Sequence, residues 1–124
     1  MASGYPLYHY KVDAMQNAVS FEDLINGETP VLIDFYADWC GPCRAMEPIL
    51  AEVAEVAADT VNIIKIDVDL NSGLANHLDV RGIPSFMIYQ KGELRWRQAG
   101  MQSAQALLQA INNVNATTEP SITT

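Results

Sequence analysis

From residue 20 onward the chain alternates between two hydrophobic periodicities, one helical and one extended. Phe21-Glu22-Asp23-Leu24-Ile25 predicts a short helix, with Ser20 placed to cap its first amides. Val31 to Tyr36 is an apolar run broken only by Asp34, the pattern of a strand covered on both faces. Met46, Ile49, Leu50, Val53, Ala54 and Ala57 then recur at helical spacing, predicting a long helix from about Gly41 to Ala58. Pro48 falls inside it, removes a backbone donor and clashes with the preceding turn, so a kink is expected there. Val61 to Val68 predicts a second buried strand, and Asn71 or Ser72 is placed to cap a short helix through Leu78. Gly82-Ile83-Pro84 predicts a turn into a strand from Ser85 to Gln90, and Lys91-Gly92 closes a hairpin. In the return strand Leu94 and Trp96 alternate with Arg95 and Arg97, the period of an antiparallel strand with one wet face. A final helix starts near Ser103 and is expected to bury Leu107, Leu108, Ile111 and Val114.

Two parallel strands joined through a kinked helix, followed by an antiparallel hairpin, specify an α/β fold with a mixed central sheet and helices on both faces. The 124 residues suffice for one core and leave no room for a second catalytic domain. Residues 20–114 are expected to form that domain, residues 1–19 an N-terminal extension, and residues 115–124 a flexible polar tail. Tyr5, Tyr8 and Tyr10 leave the extension open to three readings: a short first strand, packing over the sheet, or self-association.

Composition narrows the function classes. Hydrophobic residues make up 49% and charged residues 18%, a globular balance, and no apolar run approaches the ~20 residues of a membrane span. The first ten residues lack a basic segment followed by an apolar one, so no secretory signal is read there and a cytoplasmic location is the expectation. The net charge is -8, with seven Lys and Arg scattered along the chain, so neither nucleic acid nor membrane is an expected partner. The acidic surface reads first as a solubility device.

The chemistry lies in Trp39-Cys40-Gly41-Pro42-Cys43, which holds the only two cysteines, spaced C-x-x-C where a strand gives way to a helix. A bridge across so small a loop is a poor structural staple, because it removes little unfolded-state entropy. A zinc site is the competing reading, but zinc normally takes four ligands, and neither His9 nor His77 stands at ligand spacing, so it would need two chains or unusual ligands. The spacing therefore points to a redox-active dithiol. Cys40, at the helix start, is expected to be the more exposed and the more easily ionised, because free amides and the positive end of the helix dipole stabilise an anion there. It would attack, and Cys43, almost one turn further in, would resolve. Asp34 is the other chemical candidate: burial should raise its pKa. Taken alone, the residues leave proton transfer balanced against a bond to a buried backbone group or a pair with Lys65. Trp39 is open to core or docking-surface readings, and Trp96 reads as packing or surface. For Pro84 an ordinary trans turn proline would be the default.

Four separated segments resemble the thioredoxin family: Asp34-Phe35-Tyr36-Ala37-Asp38-Trp39-Cys40-Gly41-Pro42-Cys43-Arg44, Pro48-Ile49-Leu50, Lys65-Ile66-Asp67-Val68-Asp69 and Val80-Arg81-Gly82-Ile83-Pro84-Ser85, with Gly92 and Gly100 following at family-like intervals. The resemblance covers roughly residues 20 to 114. Its departures are mild, since Tyr36 stands where bacterial members often carry tryptophan and Arg44 where they often carry lysine. It implies the thioredoxin fold, including a strand near Ala14 to Val19, and a protein-disulfide reductase working by dithiol–disulfide exchange. It further implies a monomer without bound cofactor or metal, meeting disulfide-containing target proteins transiently and re-reduced by a thioredoxin reductase drawing on NADPH or ferredoxin.

By the same resemblance, Asp34 would accept the Cys43 proton through water and Lys65 would tune Asp34. Pro84 would be a cis-proline beside the dithiol, leaving the Ile83 backbone free to pair with a target strand. Trp39, Gly41, Pro42, Ile83 and Gly100 would form the docking surface. Pro42 stands where oxidants of the superfamily tend to place histidine, which together with the missing signal disfavours an oxidase or isomerase and implies a reductant. The remaining competitor is a binding module or subunit that keeps the fold and has incidental cysteines.

Overall fold

Residues 10–12 and 20–117 are described by the computed structural model. In chain order the elements are β1 (Tyr10–Val12), α1 (Phe21–Ile25), β2 (Val31–Tyr36), α2 (Gly41–Ala45), α3 (Glu47–Ala57), a 3-10 turn (Ala58–Thr60), β3 (Asn62–Asp67), α4 (Ser72–His77), β4 (Ser85–Gln90), β5 (Glu93–Ala99) and α5 (Ala104–Ala116). Five strands form one sheet in the order β1-β3-β2-β4-β5. β3 runs parallel to both β1 and β2, while β4 runs antiparallel to β2 and β5 to β4. The sheet is therefore mixed, as the sequence predicts.

Each face has its own core, assigned by the two-residue period of the strands. Leu32 on β2, Ile63 on β3 and Phe86 and Ile88 on β4 pack with Met46, Leu50 and Val53 and with Leu107, Ile111 and Val114 of α5. Val31, Ile33, Phe35, Ile64, Ile66 and Met87 face the other way, against Ile25, Phe21 and Leu24 of α1 and Leu74 of α4. β2 lies at the centre of this arrangement and is buried along its whole length. The backbone of its last residues leads directly into the cysteine segment.

The expected kink resolves into two helices. α2 ends at Ala45, Met46 is the hinge, and α3 begins at Glu47 with Pro48 inside its first turn. There a proline forgoes no hydrogen bond, since the first amides of a helix have no partner within it. Ser20 caps α1 as predicted, its hydroxyl accepting from the Asp23 amide at 3.2 Å. Lys91 and Gly92 both take positive φ, 54° and 82°, as a tight two-residue hairpin requires.

Two expectations need correction. Leu94 and Trp96 do not share a face: the pairing slips between Ile88 and Tyr89, so Trp96 stands opposite Ile88 and Leu94 opposite Tyr89. Arg95 is the extra residue of a bulge, which resets the alternation. Trp96 packs on the core shared with Ile88, whereas Leu94 is 43% exposed. The last helix, read as ending near Val114, continues to Ala116, with Leu107, Ala110, Ile111 and Val114 buried and Leu108 at the margin. The strand expected near Ala14 to Val19 lies outside the described residues, as do Tyr5, Tyr8 and residues 118–124; Tyr10 belongs to β1.

Candidate active site

β2 delivers the chain to a turn, and Cys40 becomes the N-cap of α2. Its sulfur accepts from the Cys43 amide at 3.1 Å, as a serine oxygen would in the same position. Pro42 sits in the first turn of α2, which fixes the backbone between the cysteines. Cys40 and Cys43 are joined in a disulfide with their Cα atoms 5.2 Å apart. Both cysteines are 4% exposed, so the expectation that Cys40 is the more accessible is not met in this disulfide form. The bridge ties both sulfurs under the same turn. What separates the two is position: Cys40 is the cap, and its sulfur lies 4.0 Å from the Ile83 carbonyl oxygen.

The Ile83–Pro84 peptide is cis. Pro84 is buried and Ile83 half-buried, packed on Tyr36, Ala37 and the two cysteines. The Pro84 carbonyl accepts from the Gly100 amide at 2.8 Å, which fastens the far end of β5 beside this segment; Gly100 takes φ +90°. Gly41, Pro42 and Gly100 are exposed. Trp39 is 68% exposed, and its indole N–H donates to Asp69 Oδ2 at 2.8 Å, so the ring is anchored at its polar end and open on its apolar body. Trp39 is thus a surface residue, and the core reading is set aside.

Two residues before Tyr36, which packs with the cysteines, Asp34 is fully buried on the face of β2 that also carries Leu32. Among the described residues neither of its carboxylate oxygens has a hydrogen-bond partner. Loss of hydration pushes its pKa up to about 7, against a smaller opposing pull from the Lys65 ammonium and a further upward push from Glu47. The backbone-bond alternative therefore has no counterpart in the structure. Lys65 stands opposite Asp34 in the β2–β3 register, but its ammonium pairs with the Glu47 carboxylate and lies 4.3 Å from the centre of the Tyr36 ring. A pocket of about 190 Å³ opens beside Lys65 and Glu47, lined by Tyr36, Ala37, Asp38, Cys43, Arg44, Glu47 and Lys65, with Asp34 outside its lining.

Of the site residues read from the sequence, Trp39, Cys40, Gly41, Pro42, Cys43, Ile83, Pro84 and Gly100 lie at or beside the disulfide, with Asp34 and Lys65 paired in register on the adjacent strands, while Trp96 lies on the core. Sequence reasoning passed over Glu47 and Asp69. Glu47 opens α3 beyond the break at Met46, so no single-helix spacing from Cys43 points to it. Asp69 carries no local signal, because its partner Trp39 is thirty residues away. Among the described residues no group of three or more His, Cys, Asp or Glu is arranged to hold a metal ion.

The thioredoxin profile matches residues 12–113, most of the chain, with the cysteine pair inside the match. This chain belongs to the thioredoxin family. It is 43% identical over 95 residues to thioredoxin Y2, chloroplastic, of Arabidopsis thaliana, a match covering 76% of this chain and 57% of that protein. The chain thus spans somewhat more than half the length of the chloroplastic relatives it matches. A bifunctional thioredoxin reductase/thioredoxin of Mycobacterium leprae is 36% identical over 98 residues, 79% of this chain and 21% of that protein. Among solved structures, a thioredoxin from Trypanosoma brucei brucei superposes with a TM-score of 0.77 at 26% identity, covering 94% of this chain and 98% of its own. The thioredoxin fold and its disulfide-forming C-x-x-C pair are therefore features of this chain.

Proposed function

We propose that this thioredoxin-family chain is a protein-disulfide reductase. The observation that carries the reading is the Cys40–Cys43 disulfide at a helix N-cap, with Cys40 beside Ile83 and Asp34 buried on β2 two residues before Tyr36, which packs with the cysteines. In the reduced chain the Cys40 thiolate attacks one sulfur of a target disulfide, forming a mixed disulfide and releasing the other target sulfur as a thiolate. Cys43 then gives its proton to Asp34, attacks the Cys40 sulfur and expels the second target thiolate. The target gains two electrons and this chain ends as the Cys40–Cys43 disulfide. A base whose pKa lies at about 7 suits that proton transfer at neutral pH.

Target docking falls to Trp39, Gly41, Pro42, Ile83, Pro84 and Gly100. The exposed indole of Trp39 supplies apolar area, and the Ile83 backbone offers main-chain pairing. Re-reduction falls to a thioredoxin reductase drawing on NADPH or ferredoxin. This part is supported by the Mycobacterium leprae relative, whose name joins both activities in one chain. The chain works as a monomer without a bound cofactor, in the cytoplasm. Cys43→Ser leaves no resolving thiol, so target proteins should accumulate as mixed disulfides on Cys40, released by dithiothreitol. A lysate that yields no Cys40-linked protein would count against the reading.

A further inference from the structure

The β2–β3 register places the Lys65 side chain beside Asp34 on the same face of the sheet. An ammonium free to turn onto a buried carboxylate favours the ionised form strongly, commonly by one to three pH units at close range (~1–3). Asp34 would then be a permanent carboxylate with little affinity for a proton. Lys65 is engaged elsewhere: its ammonium pairs with Glu47 and sits over the Tyr36 ring. Glu47 holds it from outside, at the first turn of α3, with a side chain 46% exposed and on the lining of the pocket that also reaches Cys43. A negative charge is favoured at that end of a helix.

We propose that Glu47 is a positioning residue which, by pairing Lys65, keeps the ammonium off Asp34 and so keeps Asp34 able to take up the Cys43 proton. This rests on the reading of Asp34 as proton acceptor. The ionisable groups acting on Asp34 or lining the pocket beside Lys65 and Glu47 are Lys65 from β3, Glu47 from α3, Cys43 and Arg44 from α2, Tyr36 on β2 itself and Asp38 after it. β4 presents Phe86 to Asp34, and α5 contains no ionisable residue. Of these groups, Lys65 and Glu47 are the two whose charges act on Asp34, in opposite directions. Removing the Glu47 charge therefore acts twice, by deleting the repulsion and by freeing the ammonium.

The test is a titration of the Asp34 carboxyl by ¹³C NMR on the full oxidised chain, comparing wild type with Glu47→Gln and Glu47→Asp. Glu47→Gln keeps size and hydrogen bonding, and the half-titration pH of Asp34 should fall by about one pH unit. Glu47→Asp, which retains the charge, should recover most of that fall. In the reduced chain, the pH profile of target-thiol release should move the same way in Glu47→Gln and should not move when Glu47→Gln is added to Asp34→Asn. An Asp34 titration unchanged in Glu47→Gln would overturn the proposal. The acceptor reading fails separately, if Asp34→Asn leaves the release rate and its pH profile unaltered.

Discussion

The Cys43 amide points at the Cys40 sulfur across 3.1 Å, so one contact is both a helix cap and the immediate environment of that sulfur. When the disulfide opens, the same donor faces whatever charge Cys40 carries. A backbone amide already aimed at the sulfur needs no rearrangement to stabilise a thiolate. The fold thereby gives the proposed nucleophile a donor that belongs to the backbone.

Cys40 should alkylate as an activated thiol. In a Cys43→Ser variant, the rate of reaction with iodoacetamide plotted against pH should reach half its maximum well below the ~8.5 of free cysteine. A midpoint at or above that value would show that the cap does not act on the reduced sulfur.

Asp34 should make the domain lose stability as pH rises from the acid range toward neutrality. Its folded pKa, about 7, lies above the ordinary 3.8, so the folded chain binds the extra proton between those values. The associated stability is fully present below pH 3.8 and is lost as pH rises to about 7. At ~1.36 kcal/mol per pH unit, the loss is about 4 kcal/mol, as much as burying one or two large aliphatic side chains contributes. Urea denaturation of oxidised wild type and oxidised Asp34→Asn should show the variant gaining relative stability from pH 5 to pH 8.5. Parallel pH dependences would sink this assignment.

Gly100 and Gly41 should respond oppositely to alanine. Neither position has an atom within 4 Å of an added Cβ, so the backbone decides. Gly100→Ala forces an L side chain to φ +90° and should cost about 1 kcal/mol or more. Gly41→Ala, at the first position of α2, should be neutral or stabilising by up to ~1 kcal/mol. Midpoints of urea unfolding distinguish the two, and equal costs would contradict the argument.

Legibility in the sequence followed the range of the interactions involved. The α and β segments from Phe21 to Val114 were readable because each is set by local periodicity and by caps such as Ser20. The dithiol was readable because two cysteines three positions apart signal it unaided, and Asp34 because one charge interrupts an apolar strand. The slip at Arg95 was not readable: a bulge depends on how two strands settle against each other, and the residues on either side alternate perfectly well without it. The equal exposure of Cys40 and Cys43 also escaped, since it follows from the disulfide and from long-range packing with Tyr36, Ala37 and Ile83. The Lys65 partner escaped for a related reason. Register brings Asp34 beside it, whereas the chain turn at Met46 brings Glu47 within reach.

β5 is a margin of the sheet, where unpaired amides and carbonyls invite another chain to add a strand. The bulge at Arg95 breaks the spacing such an addition needs, and exposed Glu93 and Arg97 flank it with charge. The Arg95 guanidinium also reaches Gln90 and the Thr117 carbonyl, tying the irregularity to the end of α5. This margin is therefore built against edge-to-edge aggregation, and deleting Arg95 to regularise the ladder would trade solubility at high concentration for a tidier sheet.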